Sequence, residues 1–152
     1  MTESSSGKHW TFVHSLATEA SWTPGLREIF DYRDLGIKEA TGGDYVAHVI
    51  RANGRKSEDK VQKWHLHDCT FQMIYILNGW ITFEYEGQGV RTLHRGDAVQ
   101  QIPRIKHREI ACSEDMELLE LTRVPVMSRA RKSRFLRSAA PSKSRSAVTA
   151  ID

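Results

Sequence analysis

An all-β chain, folded as an antiparallel sandwich or barrel, is what this sequence predicts. Three observations predict it. Short apolar runs recur along residues 45–122 at regular spacing. The residues between those runs are turn formers. Helical periodicity is absent from the same span.

The elements follow in order. Residues 1–8 are polar and Ser-rich and predict a disordered leader. From Trp10 to Asp44 the chain predicts short strands broken by "TPG" at 23–25, "DLG" at 34–36 and "TGGD" at 41–44. Eight apolar runs come next, at 45–51, 61–67, 71–77, 80–86, 89–93, 97–102, 107–112 and 117–122. "NG" at 53–54 and 78–79, "EGQG" at 86–89, "RGD" at 95–97 and "SED" at 113–115 separate them. Past Pro125 the chain turns Ser-, Arg- and Ala-rich. One short helix is expected near 127–137, and irregular chain past Ala140. The organisation expected is a leader over 1–8, one domain over 9–124 and a basic tail over 125–152.

Composition narrows the class. A chain of 152 residues has the length of one domain and can bury a core. No run of about 18 apolar residues is present, so no membrane span is expected. The start carries no apolar export signal. Cys69 and Cys112 are therefore expected as free thiols in a reducing, cytoplasmic setting. The net charge of +3 divides unevenly: residues 123–152 hold eight basic residues and one acid, a net +7, leaving −4 on residues 1–122. The basic character belongs to the tail, and nucleic acid is not expected as a partner of the body. No phosphate-cradling Gly-rich loop, nucleophile elbow or CxxC pair occurs, which excludes nucleotide binding, serine hydrolysis and a zinc ribbon.

The informative stretch is "KWHLHDCTFQMIYILNGW", residues 63–80. In a strand, i and i+2 face one side, so His65 and His67 point together. Two imidazoles buried side by side without partners would be costly, and a shared divalent ion removes that cost. Two polar residues on a solvated strand face would show the same spacing. Gln72 follows five residues after His67, and Gly79 seven residues after that. A second cluster, "GDAVQQIPRIKH", runs from Gly96 to His107.

Together these motifs resemble the cupin superfamily. Its first motif is HxH, three or four residues, Glu, six residues, Gly; here it reads His65-Leu66-His67, four residues, Gln72, six residues, Gly79. Its second is a glycine, a proline-glycine turn and a histidine; here it reads Gly96, Ile102-Pro103-Arg104 and His107. The resemblance covers residues 45–122. Arg104 stands where the turn glycine is usual, and Asp59 where the family has a glycine six residues before His65. The resemblance implies an RmlC-like double-stranded β-helix, a jelly-roll barrel of two antiparallel sheets, paired as a homodimer. It implies His65, His67 and His107 as metal ligands, with Gln72 at the family's carboxylate position. An amide there either ligates the metal weakly or donates to a bound water or substrate oxygen.

The function expected is that of a metal-dependent oxygenase acting on a small anionic, chelating organic substrate. Three neutral imidazoles leave a 2+ ion its full charge, as in sites that look like those of β-diketone-cleaving and thiol dioxygenases. Fe2+ is the favoured cofactor, with Ni, Mn, Zn or Cu as alternatives. A metal-dependent isomerase or decarboxylase fits the same ligands, as does a non-catalytic binding or sensing cupin. Arg51 and Lys63 are candidate substrate-binding cations. Glu109 shares parity with His107 and, with Gln72, is a candidate acid-base or ligand-orienting group. His9, His14, His48 and His94 have no partner at ligand spacing and are expected on the surface or in the core.

Overall fold

The computed structural model describes residues 9–25, 27–55 and 63–125. Two antiparallel sheets face each other. The larger orders its strands β1 (Thr23–Pro24), β2 (Phe30–Asp34), β3 (Tyr45–Ala52), β9 (Glu117–Arg123), β4 (Phe71–Asn78) and β7 (Ala98–Gln101). The smaller orders β6 (Gly89–His94), β5 (Trp80–Tyr85) and β8 (His107–Cys112). This is the all-β antiparallel architecture that the runs and turns predict, in the jelly-roll form that the resemblance implies. The runs at 45–51, 71–77, 80–86, 89–93, 97–102, 107–112 and 117–122 each lie on one of these strands, within two residues at either end.

Alternation explains which face each strand buries. On β4, Gln72, Ile74 and Ile76 are buried while Tyr75 and Leu77 are exposed. On β5, Ile81, Phe83 and Tyr85 turn inward. Ile76, Ile81 and Met116 are closed off from solvent almost completely and join the two sheets into one core. Register sets residues of the large sheet side by side across its inner face. His48 lies opposite Glu120, and Glu120 opposite Ile74. In the next row Gln72 lies opposite both Thr122 and Gln101.

The hairpin between β4 and β5 turns at Gly79, whose φ is +62°. A Cβ there would come within 2.2 Å of the Ser113 hydroxyl and 3.1 Å of the Met116 Cα, so the turn needs glycine twice over.

Three expectations need correction or lie outside the described chain. The run at 61–67 is not a strand where it is described. From Lys63 onward it makes one isolated bridge, with the His65 and His107 backbones bonding each other reciprocally at 3.0 and 2.9 Å. One turn of α1 (Ile37–Ala40) and a 3-10 turn at Ala17–Glu19 stand where only strands and breakers are expected. "DLG" opens that helix: Asp34 accepts a hydrogen bond from the Gly36 amide at 2.8 Å, and Gly36 takes φ +74°. The leader at 1–8 and the helix near 127–137 fall outside the described residues.

Candidate metal centre

Between the sheets lies a cavity of about 510 Å3. Its floor is apolar, built from Phe30, Ile50, Ile74, Ile81, Phe83 and Leu118. His65, His67 and His107 stand together on its wall, and one ring nitrogen from each lies within 4.8 Å of the others. His107 opens β8 facing inward and is buried, while His65 and His67 are half-buried on the segment that the His65–His107 bridge holds against it. The His65 and His107 rings are 4.2 Å apart, and His67 and His107 are 5.2 Å apart and nearly parallel. An ion about 2.1 Å from each nitrogen would draw the donors to about 3–4 Å of one another, so a small closure completes the site.

Two features prepare these rings as ligands. The Nδ1 of His65 lies 3.1 Å from the Lys63 carbonyl, and that of His107 lies 3.0 Å from the Ile105 carbonyl. A proton donated there leaves the lone pair on Nε2, which on His65 meets the Arg27 guanidinium at 2.7 Å and would exchange it for the ion. Burial disfavours the imidazolium. Desolvation, then the Arg27 guanidinium, pushes His65 down to about 4, and desolvation lowers His107 in the same direction. Near neutral pH both rings are neutral, the protonation state that binds a metal. The donor set therefore fits a divalent ion.

Around the histidines stands a polar ring: Arg27, Tyr32, His48, Glu109 and Glu120. Arg27 pairs with Glu109, and its other guanidinium nitrogen lies 2.7 Å from His65 Nε2. Tyr32 makes an edge contact with His48, at 5.9 Å between centroids. Desolvation, helped by the Glu120 charge, raises the Tyr32 pKa and keeps it a neutral hydroxyl.

The candidates from sequence are distributed unevenly over this site. His65, His67, His107 and Glu109 are brought together. Gln72 is buried and faces inward, but it is absent from the cavity wall. Its amide nitrogen donates to the Glu120 carboxylate at 2.9 Å, so it reaches the cavity through that carboxylate. Arg51 does not line the cavity. It stacks on Trp22, at 3.8 Å from the guanidinium carbon to the ring centroid, and approaches Asp31 at 3.7 Å. The cause is parity: His48 and Ile50, its alternates on β3, take the cavity side. Lys63 has an exposed side chain and lines nothing there. Cys69 is buried, and desolvation raises its thiol pKa, against any nucleophilic role.

Arg27, Tyr32 and Glu120 were not singled out from sequence, and His48, expected on the surface or in the core, lines the cavity instead. His48 carried a signal, since it shares a strand face with Ile50. Glu120 did too, as a carboxylate on the Leu118 side of an alternating strand. Arg27 and Tyr32 come from the stretch at 10–44, where turn residues hid the pattern.

No protein-family model and no curated protein matches the chain. Solved structures do. KdgF from Halomonas sp. superposes with a TM-score of 0.60 and 22% identity, over 76% of this chain and 96% of that one. An RmlC-like cupin from Shewanella frigidimarina gives 0.54 and 15%, over 78% and 92%. The chain has the cupin fold. The Fe(II) form of HppE gives 0.57 and 16%, over 74% of this chain and 60% of HppE, so the chain spans about three fifths of that protein. The resemblance carried by the two motifs thus holds for the fold, and the three histidines of those motifs are the ones that converge. Among the described residues no helix is long and apolar enough to cross a membrane.

Proposed function

We propose that this cupin is a metal-dependent oxygenase acting on a small, singly anionic, chelating organic substrate, with Fe(II) held by His65, His67 and His107. One observation carries the reading: three imidazoles converge in a largely apolar cavity that also holds a half-buried guanidinium. The Fe(II) in the structure of HppE supports iron over the other divalent ions. When bound, the ion supplies a Lewis-acidic, redox-active centre with open positions for ligands.

The chain's own residues set the charge. A 2+ ion and Arg27 give +3, and ionised Glu109 and Glu120 take away two, leaving +1. A monoanion neutralises that. Arg27 offers the substrate anion a fork of N–H donors and shares them with Glu109. Tyr32 donates its hydroxyl proton to a substrate oxygen, and Glu120 accepts a proton from the substrate. The apolar floor excludes water and fits a short hydrocarbon or aromatic body.

The carboxylate of Glu120, in the wall of the same cavity as the metal ligands, also suits proton transfer at carbon, which favours an isomerase or decarboxylase as the second reading. One experiment separates them. The chain is reconstituted anaerobically with Fe(II) and screened against β-diketones, catechols, thiols and 2-hydroxy acids. Oxygen uptake and solvent-deuterium incorporation are followed together, with His107→Ala as control. Uptake that His107→Ala lacks supports the oxygenase. Deuterium incorporation without uptake supports the isomerase. Saturable binding with neither makes the protein a sensing module and overturns both.

A further inference from the structure

Away from the histidines, the two sheets part where β6, the edge of the small sheet, faces β7, the edge of the large one. A second cavity of about 380 Å3 opens there, with Leu93, Ile102 and Ile105 among its apolar walls. Gln101 lines both this cavity and the metal cavity, and so stands in the partition between them. It is 1% exposed. Its amide nitrogen donates to the Tyr85 hydroxyl at 2.8 Å, and its amide oxygen has no partner. Turning the amide round exchanges the two atoms and leaves the other one orphaned. A buried amide atom without a partner is unfavourable, and a ligand that satisfies it recovers that cost.

Arg91 provides the second handle. It lies opposite Phe83, whose side chain is in the core, so Arg91 is on the inner face of β6. It also lines this cavity, and it donates to the neighbouring Val90 carbonyl at 3.0 Å. No carboxylate among the described residues pairs with it. The cavity thus offers a cation at an exposed position, an apolar middle, and a buried amide in its wall with one unused hydrogen-bonding position.

We propose that this second cavity binds a small organic acid: an anionic group at Arg91, a flat or aliphatic apolar body along Leu93, Ile102 and Ile105, and a neutral hydroxyl meeting the free amide atom of Gln101. A hydroxyl both donates and accepts, so it satisfies that atom in either orientation. The site is separate from the one the histidines form and does not depend on the reaction proposed there.

The probes are 4-hydroxybenzoate, benzoate and phenol, titrated into the full chain and followed by amide chemical shifts. For 4-hydroxybenzoate we expect saturable shifts at amides within 88–93 and 98–105. Benzoate, lacking the hydroxyl, should bind about tenfold more weakly, because the amide atom stays unpaired. Phenol, lacking the anion, should bind about threefold more weakly, as for an ion pair in contact with solvent. Ile102→Trp, at a side chain 55% exposed, should fill the cavity and abolish these shifts while the rest of the spectrum stays unchanged. Gln101→Leu should make benzoate and 4-hydroxybenzoate bind alike. The absence of saturable shifts at those amides would overturn the proposal and leave Arg91 as a charge guarding the free edge of β6. Equal binding of benzoate and 4-hydroxybenzoate to the unmodified chain would overturn it too. Shifts centred on Tyr32 and His48 would place the acid in the metal cavity alone and would likewise overturn it.

Discussion

Gln72 and Glu120 are diagonal neighbours on the inner face of the large sheet, and their bond fixes where the cavity has its negative charge. An amide can donate to a carboxylate; a second carboxylate cannot. Gln72→Glu puts two like charges about 3 Å apart in a half-buried place, so one must take up a proton or the contact must open. We expect this variant to lose about 2 kcal/mol of stability, the order of a buried hydrogen bond to a charged group. Gln72→Glu with Glu120→Gln reverses the polarity of the same bond and should recover most of the loss. Urea unfolding of the unmodified chain and the two variants measures it, and a double variant no better than the single one would show that the bond does not hold the pair.

The histidines carry a pH dependence whose sign follows from burial. His65 has its folded-state pKa pushed to about 4 from an ordinary 6.5, by desolvation first and Arg27 second. Between those values the unfolded chain takes up protons that the folded chain refuses. Stability is then complete above about 6.5 and drains away as pH falls toward 4. His107 is lowered too and acts in the same sense. In chelator-treated protein we expect the urea midpoint to fall steadily from pH 7 to pH 5. A midpoint flat across that interval would mean that the rings titrate normally.

At the scale of elements, the strands after Asp44 were legible because each carries a short apolar run between strong turn formers. Phe71–Asn78 is apolar throughout except for Gln72 and Asn78, so its letters mark a strand but not that Gln72, Ile74 and Ile76 form its buried face. The segment holding His65 and His67 was legible for its ligands and not for its structure. Its apolar residues Trp64 and Leu66 are 45% and 38% exposed, so no buried face drives a full ladder. The cavity's polar ring was half legible. Parity placed Glu109 beside His107, but parity alone cannot say which face of β3 looks inward, and that choice separates His48 from Arg51.

The turn before β8 shows a local cost. Arg104 has φ +66°, the left-handed region, at the position where the cupin motif usually has glycine. A side chain there costs roughly 1 kcal/mol or more, and the exposed Arg104–Asp68 pair at 3.1 Å offsets little of it. We expect Arg104→Gly to raise stability by about 0.5–1 kcal/mol and the melting temperature by a few degrees. A lower melting temperature would mean that the ion pair outweighs the backbone strain.

For the whole molecule, the unequal sheets decide where chemistry can happen. The large sheet contributes His48 and Glu120 from adjacent strands and Tyr32 from beyond them; the small sheet contributes His107 and Glu109. No local stretch of sequence contains that set. HxH and the distant histidine could be read because a metal imposes its own spacing. Arg27, Tyr32 and Glu120 answer only to a cavity that exists after both sheets have closed.

The reciprocal bond between the His65 and His107 backbones has a mechanical consequence. Among the described residues it is the one bridge tying the HxH segment to a sheet. An ion gripping side chains on both sides of that bridge acts as a rivet: the segment comes away only when two backbone bonds and the ion's bonds fail together. The metal then governs how long a stretch of chain stays fastened as well as what the site can do. Hydrogen exchange reads this directly. With metal bound, the His65 amide should exchange about as slowly as amides in the centre of β5. After chelation it should speed up by at least about tenfold, while Ile81 and Phe83 change little. Equal acceleration everywhere would mean that the ion stabilises the barrel as a whole, with no special grip on this segment.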